Sequence, residues 1–151
     1  MNLPRGILEF NGIDVAPRTT QSEFEALFPS SLFRINTSPL HPERVSYTNI
    51  STVKFDDMLA RVHVFFNESV IQNVEVICIE ERFRNPTGNW SNEKYDQKRE
   101  YHKKWLLDKL GQPTFQNKWV TSYSFDWGTI SSESDPRDPT LAIVIRYGNV
   151  V

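Results

Sequence analysis

The sequence contains a single cysteine, Cys78, among its 151 residues. One cysteine cannot form a disulfide within the chain, and it excludes a zinc site built from several cysteines. Cys78 lies in a stretch of alternating apolar residues, where a free cysteine usually packs as a small hydrophobic side chain. It is therefore predicted to be a core residue and not a reactive thiol.

Glycine and histidine are also scarce, and neither contributes to a catalytic motif. The six glycines are scattered, so the sequence has no glycine-rich phosphate loop, and the motifs GxSxG and HExxH are absent. The three histidines, His41, His63 and His102, fall in three different predicted elements, which gives no metal-ligand spacing. The sequence accordingly predicts a protein that is not an enzyme and that holds neither a cofactor nor a metal ion.

Long hydrophobic runs and strong net charge are missing as well. No apolar run approaches the ~20 residues of a membrane span, and the first residues lack the apolar segment of a signal peptide. The formal net charge of −2 gives no basic footprint for nucleic acid. We therefore expect a cytoplasmic protein without nucleic-acid or membrane partners. Its length suits a single globular domain over residues 1–151.

The clearest positive signal is an alternation of apolar residues between Phe55 and Phe83, on both sides of Asn67-Glu68-Ser69. A period of two indicates half-buried antiparallel strands, so this stretch is predicted to be a long hairpin. Its first face carries the more uniform apolar set: Ala60, Val62, Val64, Phe66, Val70, Val74, Val76 and Cys78. Its second face mixes polar groups with Phe65, Ile71 and Ile77, and we expect a further layer to cover it.

Two helices are predicted. Thr20 and Glu23 form a capping box before a short helix, whose apolar stripe is Phe24, Leu27 and Phe28. A longer helix is predicted from Asn92 to Leu110, ended by a glycine and a following proline. It is the expected cover for the second face of the hairpin. Its predicted buried stripe is Tyr101, His102, Trp105, Leu106 and Leu110.

Further strands are predicted on both sides of these elements. The Asn11-Gly12 dipeptide indicates an N-terminal hairpin over residues 6–15, and alternation over residues 45–55 breaks at Asn49. Two more strands are predicted over residues 119–127 and 141–147, separated by an exposed polar loop over residues 131–139. The fold class is α+β, a mostly antiparallel sheet with one long and one short helix packed on it.

The two halves could be an imperfect helix-strand-strand duplication. In each, a helix and a proline precede a strand that contains a Phe-Asp dipeptide, at Phe55-Asp56 and at Phe125-Asp126. The spacings differ between the halves, so the sequence leaves chance similarity open as the alternative.

Candidate binding residues lie at the predicted rims of the sheet. Trp90 and Trp127 occupy a loop and a strand end, where an aromatic side chain either anchors a partner or caps the core. The acidic groups of the predicted loop would dock on a basic surface of a partner and speed association. The complete set of candidates is Asp56, Asp57, Trp90, Trp127, Glu133, Asp135 and Asp138.

The helix exit Leu110-Gly111-Gln112-Pro113, followed by the strand from Tyr123 to Trp127, resembles the helix-plus-sheet module of β-lactamase inhibitor proteins and of BamE-like domains. In size and character the chain is also similar to bacterial immunity proteins. These resemblances imply a non-catalytic protein that binds another protein, such as a toxin or effector. The alternatives are a small-ligand domain with an aromatic-lined pocket between sheet and helix, and a structural assembly component.

Overall fold

Eleven strands form one sheet in the computed structural model, which describes residues 1–84, 92–135 and 137–148. Every pairing within these ranges is antiparallel. The strands are β1 Leu8–Phe10, β2 Ile13–Val15, β3 Phe33–Thr37, β4 Arg44–Asn49, β5 Val53–Phe55, β6 Met58–Asn67, β7 Val70–Cys78, β8 Phe115–Gln116, β9 Val120–Phe125, β10 Gly128–Asp135 and β11 Asp138–Tyr147. The α-helices are α1 Gln21–Leu27 and α2 Asn92–Leu110, and short 3₁₀ helices span Leu3–Arg5 and Glu81–Phe83. The predicted α+β class is confirmed.

The β6–β7 hairpin lies in the middle of the sheet, in the order β2-β1-β5-β6-β7-β11-β10-β9-β8. Its turn residues Glu68 and Ser69 both have positive φ, as a two-residue turn between twisted strands requires. One prediction for this hairpin is wrong: Val70 is 42% exposed and Ile71 is buried instead. Phe65 pairs with Asn73 whereas Phe66 pairs with Ile71, so an extra residue in β7 reverses the alternation beyond it.

Strands β4 and β5 pair with the same edge of β6, one after the other. Asn49 fills the break between them: its Oδ1 accepts from the backbone N–H of Val62 at 2.8 Å, and its Nδ2 donates to the carbonyls of Ser51 and Ala60. The side-chain amide thus replaces the backbone ladder for one position. The predicted interruption at Asn49 is confirmed as a division into two strands.

Both helices cover the same face of the sheet. Phe24 and Phe28 of α1 and Trp105 and Leu106 of α2 join one core cluster with Ala60, Val62, Val64, Val74 and Val76, the predicted first face of the hairpin. The expectation that the long helix covers the second face is therefore wrong. The first face carries the continuous apolar surface. Helices that pack on this face remove more apolar area from water than they would on the mixed second face.

Within the interval predicted to be a loop over residues 131–139, residues 131–135 belong instead to strand β10 and residues 138–139 to strand β11. Strand β10 pairs with β9 on one side and β11 on the other, and Ser131, Ser132 and Ser134 are buried. Serine and aspartate have low strand propensity, but an inner strand has its backbone groups bonded on both edges, and this context prevails. The predicted short helix α1 and its capping box are confirmed, except that Leu27 is 42% exposed.

The two Phe-Asp dipeptides occupy equivalent positions in the sheet. Phe55 ends β5 and Asp56 starts the two-residue turn to β6, while Phe125 ends β9 and Asp126 starts the two-residue turn to β10. Each half of the chain therefore contains a helix followed by a strand, a Phe-Asp turn and a further strand. A duplication remains a prediction that this arrangement favours.

Replacing Asn49 by alanine should lower the free energy of unfolding by about 1–3 kcal/mol, because three backbone groups lose their side-chain partner. Chemical denaturation measures the change. Asn36→Ala is the matched control, since the Asn36 side chain makes an exposed hydrogen bond to Thr48. Equal stabilities of the two variants would contradict the bridging role of Asn49.

Candidate partner-binding surface

The face of the sheet opposite both helices is here called the open face, and no described helix lies on it. Strand register places its side chains in rows that run across neighbouring strands. One row is Arg34, Thr48, His63, Glu75, Val144 and Ser131. The next row is Asn36, Ser46, Phe65, Asn73, Arg146 and Thr129.

Apolar side chains of the open face remain outside the core. Phe65 and Ile77 are half-buried, Leu59 is 47% exposed and Ile79 is 39% exposed. None of these four residues belongs to the core cluster that the helices cover. Apolar groups that are grouped on one exposed face and surrounded by polar residues are typical of a surface that binds another protein.

An ion pair crosses the middle of the open face. Glu133 accepts hydrogen bonds from the guanidinium of Arg146, one of them between Nη2 and Oε2 at 3.0 Å, and a further one from the Ser131 hydroxyl at 2.6 Å. The Arg146 guanidinium keeps the pKa of the Glu133 carboxyl below its usual range. The paired side chains extend across Ser131 and Val144, which helps to explain why these two residues are buried on an otherwise uncovered face.

Glu133 is thus a strand residue with a charge partner. Asp135 ends β10, Asp138 starts β11, and the two residues pair at the end of the hairpin. For these two residues the structure describes the backbone only. Trp90 lies outside the described residues. The structure therefore brings together the three acidic candidates in one hairpin, with Asp135 and Asp138 at its tip.

Asp56 and Asp57 form the β5–β6 turn and contact helix α2. Asp57 Oδ1 accepts from Nε1 of Trp105 at 2.9 Å, and Asp56 forms an ion pair with Lys109, one helical turn further on. The Trp105 hydrogen bond lowers the pKa of Asp57, and Asp56 raises the pKa of Lys109. The two carboxylates connect the helix to the sheet and lie in a different hairpin from Glu133.

Trp127 is half-buried against the N-terminal segment. Its ring stacks on Phe125 at 5.2 Å, and its Nε1 donates to the Pro4 carbonyl at 2.9 Å. Gly6 has positive φ, and a Cβ there would lie 2.8 Å from the indole, so glycine is required at this contact. Trp127 therefore packs the N-terminal segment against the sheet and leaves part of its ring accessible.

Clefts beside α2 bear on the alternative of a small-ligand pocket, and one of about 450 Å³ is lined by Phe83 and Tyr101 together with charged residues. An open cleft of about 310 Å³ lies beside the end of α2, and Tyr123 is its single aromatic residue among polar and charged neighbours such as Glu100, Lys103 and Gln112. The described residues contain no group of three or more potential metal ligands. In the same part of the chain, no helix has the length and apolarity that crossing a membrane requires.

The sequence analysis does not identify the following open-face residues as candidate binding residues: Arg34, Arg61, His63, Phe65 and Arg146. The available signal was the mixed second face of the predicted hairpin, where Phe65 and Ile77 alternate with charged groups. That mixture is typical of a surface covered by a partner as well as of one covered by the chain's own helix. The side on which the helix packs decides between the two, and it depends on tertiary structure.

A chain in the solved structure of Rhs1-CT in complex with cognate immunity protein RhsI1 has a similar fold, with a TM-score of 0.54. The two chains are 19% identical, and the alignment covers 97% of this chain and 85% of that chain. No protein-family model and no curated protein matches the sequence. The predicted resemblance to toxin-immunity proteins is thereby confirmed at the level of the fold.

His102, on helix α2, makes the stability of the fold depend on pH. The side chain is fully buried, and neither ring nitrogen has a hydrogen-bond partner among the described residues. Burial lowers the pKa of His102 to about 3, and the nearby Lys98 charge acts in the same direction. The unfolded chain therefore takes up a proton near pH 6.5 that the folded chain does not.

The stability that neutral His102 contributes should be present above pH 6.5 and lost as the pH falls towards 3. Between pH 6.5 and 5, where carboxylates change little, the loss should be about 2 kcal/mol. Denaturation of the wild type and of His102→Leu across this range measures it, and the variant should show a shallower slope. His41→Leu, which removes an exposed imidazole, is the control. Parallel slopes for His102→Leu and the wild type would contradict the assignment.

Proposed function

We propose that this chain is an immunity protein, which binds a toxin in the cytoplasm of a bacterial cell and blocks its activity without catalysis. The observation that carries the proposal is the fold shared with a chain of a toxin–immunity complex over 97% of this chain. An inhibitor of this kind needs a stable scaffold and an accessible surface, because binding alone produces its effect.

The surface chemistry of the chain supports a protein partner. The open face combines half-buried and exposed apolar residues with arginine side chains, the composition that protein interfaces favour. Trp127 offers part of an aromatic ring at one rim of the sheet. The acidic tip of the β10–β11 hairpin would meet basic groups of the toxin and accelerate association.

Co-expression tests the proposed function. We expect a toxin domain to be encoded immediately upstream of the gene for this chain; that domain should arrest growth when produced alone, and this chain should restore growth. The purified proteins should co-elute as a stable complex, while an unrelated toxin domain serves as the control that this chain does not neutralise. Growth arrest that persists, with no complex formed, would reject an immunity function.

The acidic tip can be tested in the same complex. Asp135→Lys combined with Asp138→Lys should slow association with a basic toxin surface and weaken the salt dependence of the affinity. Glu133 stays unchanged because its loss would leave Arg146 without its ion-pair partner. Glu93→Lys combined with Asp126→Lys, two exposed residues that form no ion pair within the described part of the chain, is the matched control. Unchanged association kinetics would exclude the tip from the interface.

A further inference from the structure

We infer that the open face is the docking surface for an acidic patch of the partner protein, with Arg34 and Arg61 pairing with its carboxylates and Phe65 as the apolar anchor. The inference rests on the proposed function, because it identifies the surface through which the chain would hold its partner. It is carried by three properties of the open face: its extent, its charge and its uncovered apolar groups.

The extent of the open face fits a protein partner. The row from Arg34 on β3 to Ser131 on β10 crosses six adjacent strands. At a strand spacing of about 4.8 Å this row is about 24 Å long. A surface of this width on several parallel rows is comparable with the patch that one partner contributes to a stable complex.

The charge of the open face is opposite in sign to that of the whole chain. On strands β3 to β7 and among the described side chains of β10 and β11, strand register places four arginines and Lys54 on the open face together with two glutamates, Glu75 and Glu133, whereas the formal net charge of the chain is −2. The four arginines are Arg34, Arg44, Arg61 and Arg146. Guanidinium groups, which bind carboxylates in a bidentate manner, therefore supply most of this positive charge.

Two of these arginines have no internal charge partner. Arg146 pairs with Glu133, and Arg44 lies 3.7 Å from Glu43. Arg34 and Arg61 are exposed, and within residues 1–84, 92–135 and 137–148 neither forms an ion pair. Their charges are therefore available to an external carboxylate: Arg34 lies at the β3 end of the row that contains His63, and Arg61 lies in the adjacent row.

Phe65 is an apolar group in the row next to that of Arg34, between Ser46 and Asn73, and it lies four residues from Arg61 on the same strand. Its ring centroid is 6.3 Å from that of His63, two residues earlier on the same strand face. Neither residue belongs to the core cluster beneath the helices. A half-buried aromatic side chain with polar neighbours, here Ser46 and Asn73, is the kind of residue from which interface hot spots are usually built.

Other occupants fit the open face less well. Nucleic acid requires a broad basic field, whereas Glu75 and Glu133 lie among the arginines and the chain is acidic overall. A second copy bound through a twofold axis would set the arginine-rich patch against itself, which like charges oppose. The acidic tip of the β10–β11 hairpin begins at Asp138, eight residues from Arg146 and about 26 Å along the strand, so it contacts a different part of the partner.

The experiment compares two double variants in the complex with the upstream-encoded toxin domain. Arg34→Glu combined with Arg61→Glu should weaken binding at least about tenfold, reduce its salt dependence and abolish protection in cells. Arg84→Glu combined with Lys104→Glu, two exposed residues on the helix side of the sheet, changes the net charge equally and should leave affinity near that of the wild type. Phe65→Ala should weaken binding without altering its salt dependence.

The outcomes separate this inference from the proposed function. If the wild-type chain protects cells and the Arg34→Glu/Arg61→Glu and Phe65→Ala variants bind as well as the wild type, the open face is not the docking surface. The proposed immunity function would stand. A wild-type chain that neither binds nor protects would overturn both. If the wild type binds duplex DNA and Arg34→Glu/Arg61→Glu removes this binding, the open face binds nucleic acid and not an acidic protein. If the wild type self-associates in sedimentation and the same variant removes this association, the open face binds a second copy of the chain. Retained unfolding midpoints confirm that the variants are folded.

Discussion

The structure depends on the burial of one apolar face of the β6–β7 hairpin beneath two helices. Val62, Val64, Val74 and Val76 are fully buried there, and the helices contribute phenylalanine, tryptophan and leucine side chains to the same cluster. Two helices, one of seven and one of nineteen residues, can cover only one side of an eleven-stranded sheet. Because both lie on the same side, the opposite face must be compatible with water or be covered by another molecule.

The open face shows how the chain meets that requirement. Its small residues, Ser131 and Val144, lie beneath the Arg146–Glu133 ion pair, so long charged side chains shield short ones. Polar residues of β4, β7 and β10 separate the apolar ones, which keeps the uncovered patch discontinuous. This composition allows the free protein to remain stable in water while exposing aromatic and guanidinium groups of the kind that protein interfaces favour.

The sequence predicts elements with strong local signals and fails where distant contacts decide. The capping box of Thr20 and Glu23, the Asn11-Gly12 turn and the helix from Asn92 to Leu110 are confirmed, because each is encoded by neighbouring residues. Strand β10 was missed because its serines are stabilised by pairing on both edges. The burial of Ile71 in place of Val70 is not predicted, because the β-bulge that causes it leaves no pattern in the local sequence.

The candidate surface was less predictable than the fold for a related reason. Alternation separates two faces of a strand but does not state which face a distant helix will cover, and here the mixed face stayed open. The residues on that face do not belong to the core cluster, so they can change without disturbing the packing that holds the sheet. The covered face needs only apolar residues of suitable volume, a weak constraint on identity. A constraint on volume and not on identity permits chains of different sequence to share a fold, as this chain and its structural neighbour do at 19% identity and a TM-score of 0.54.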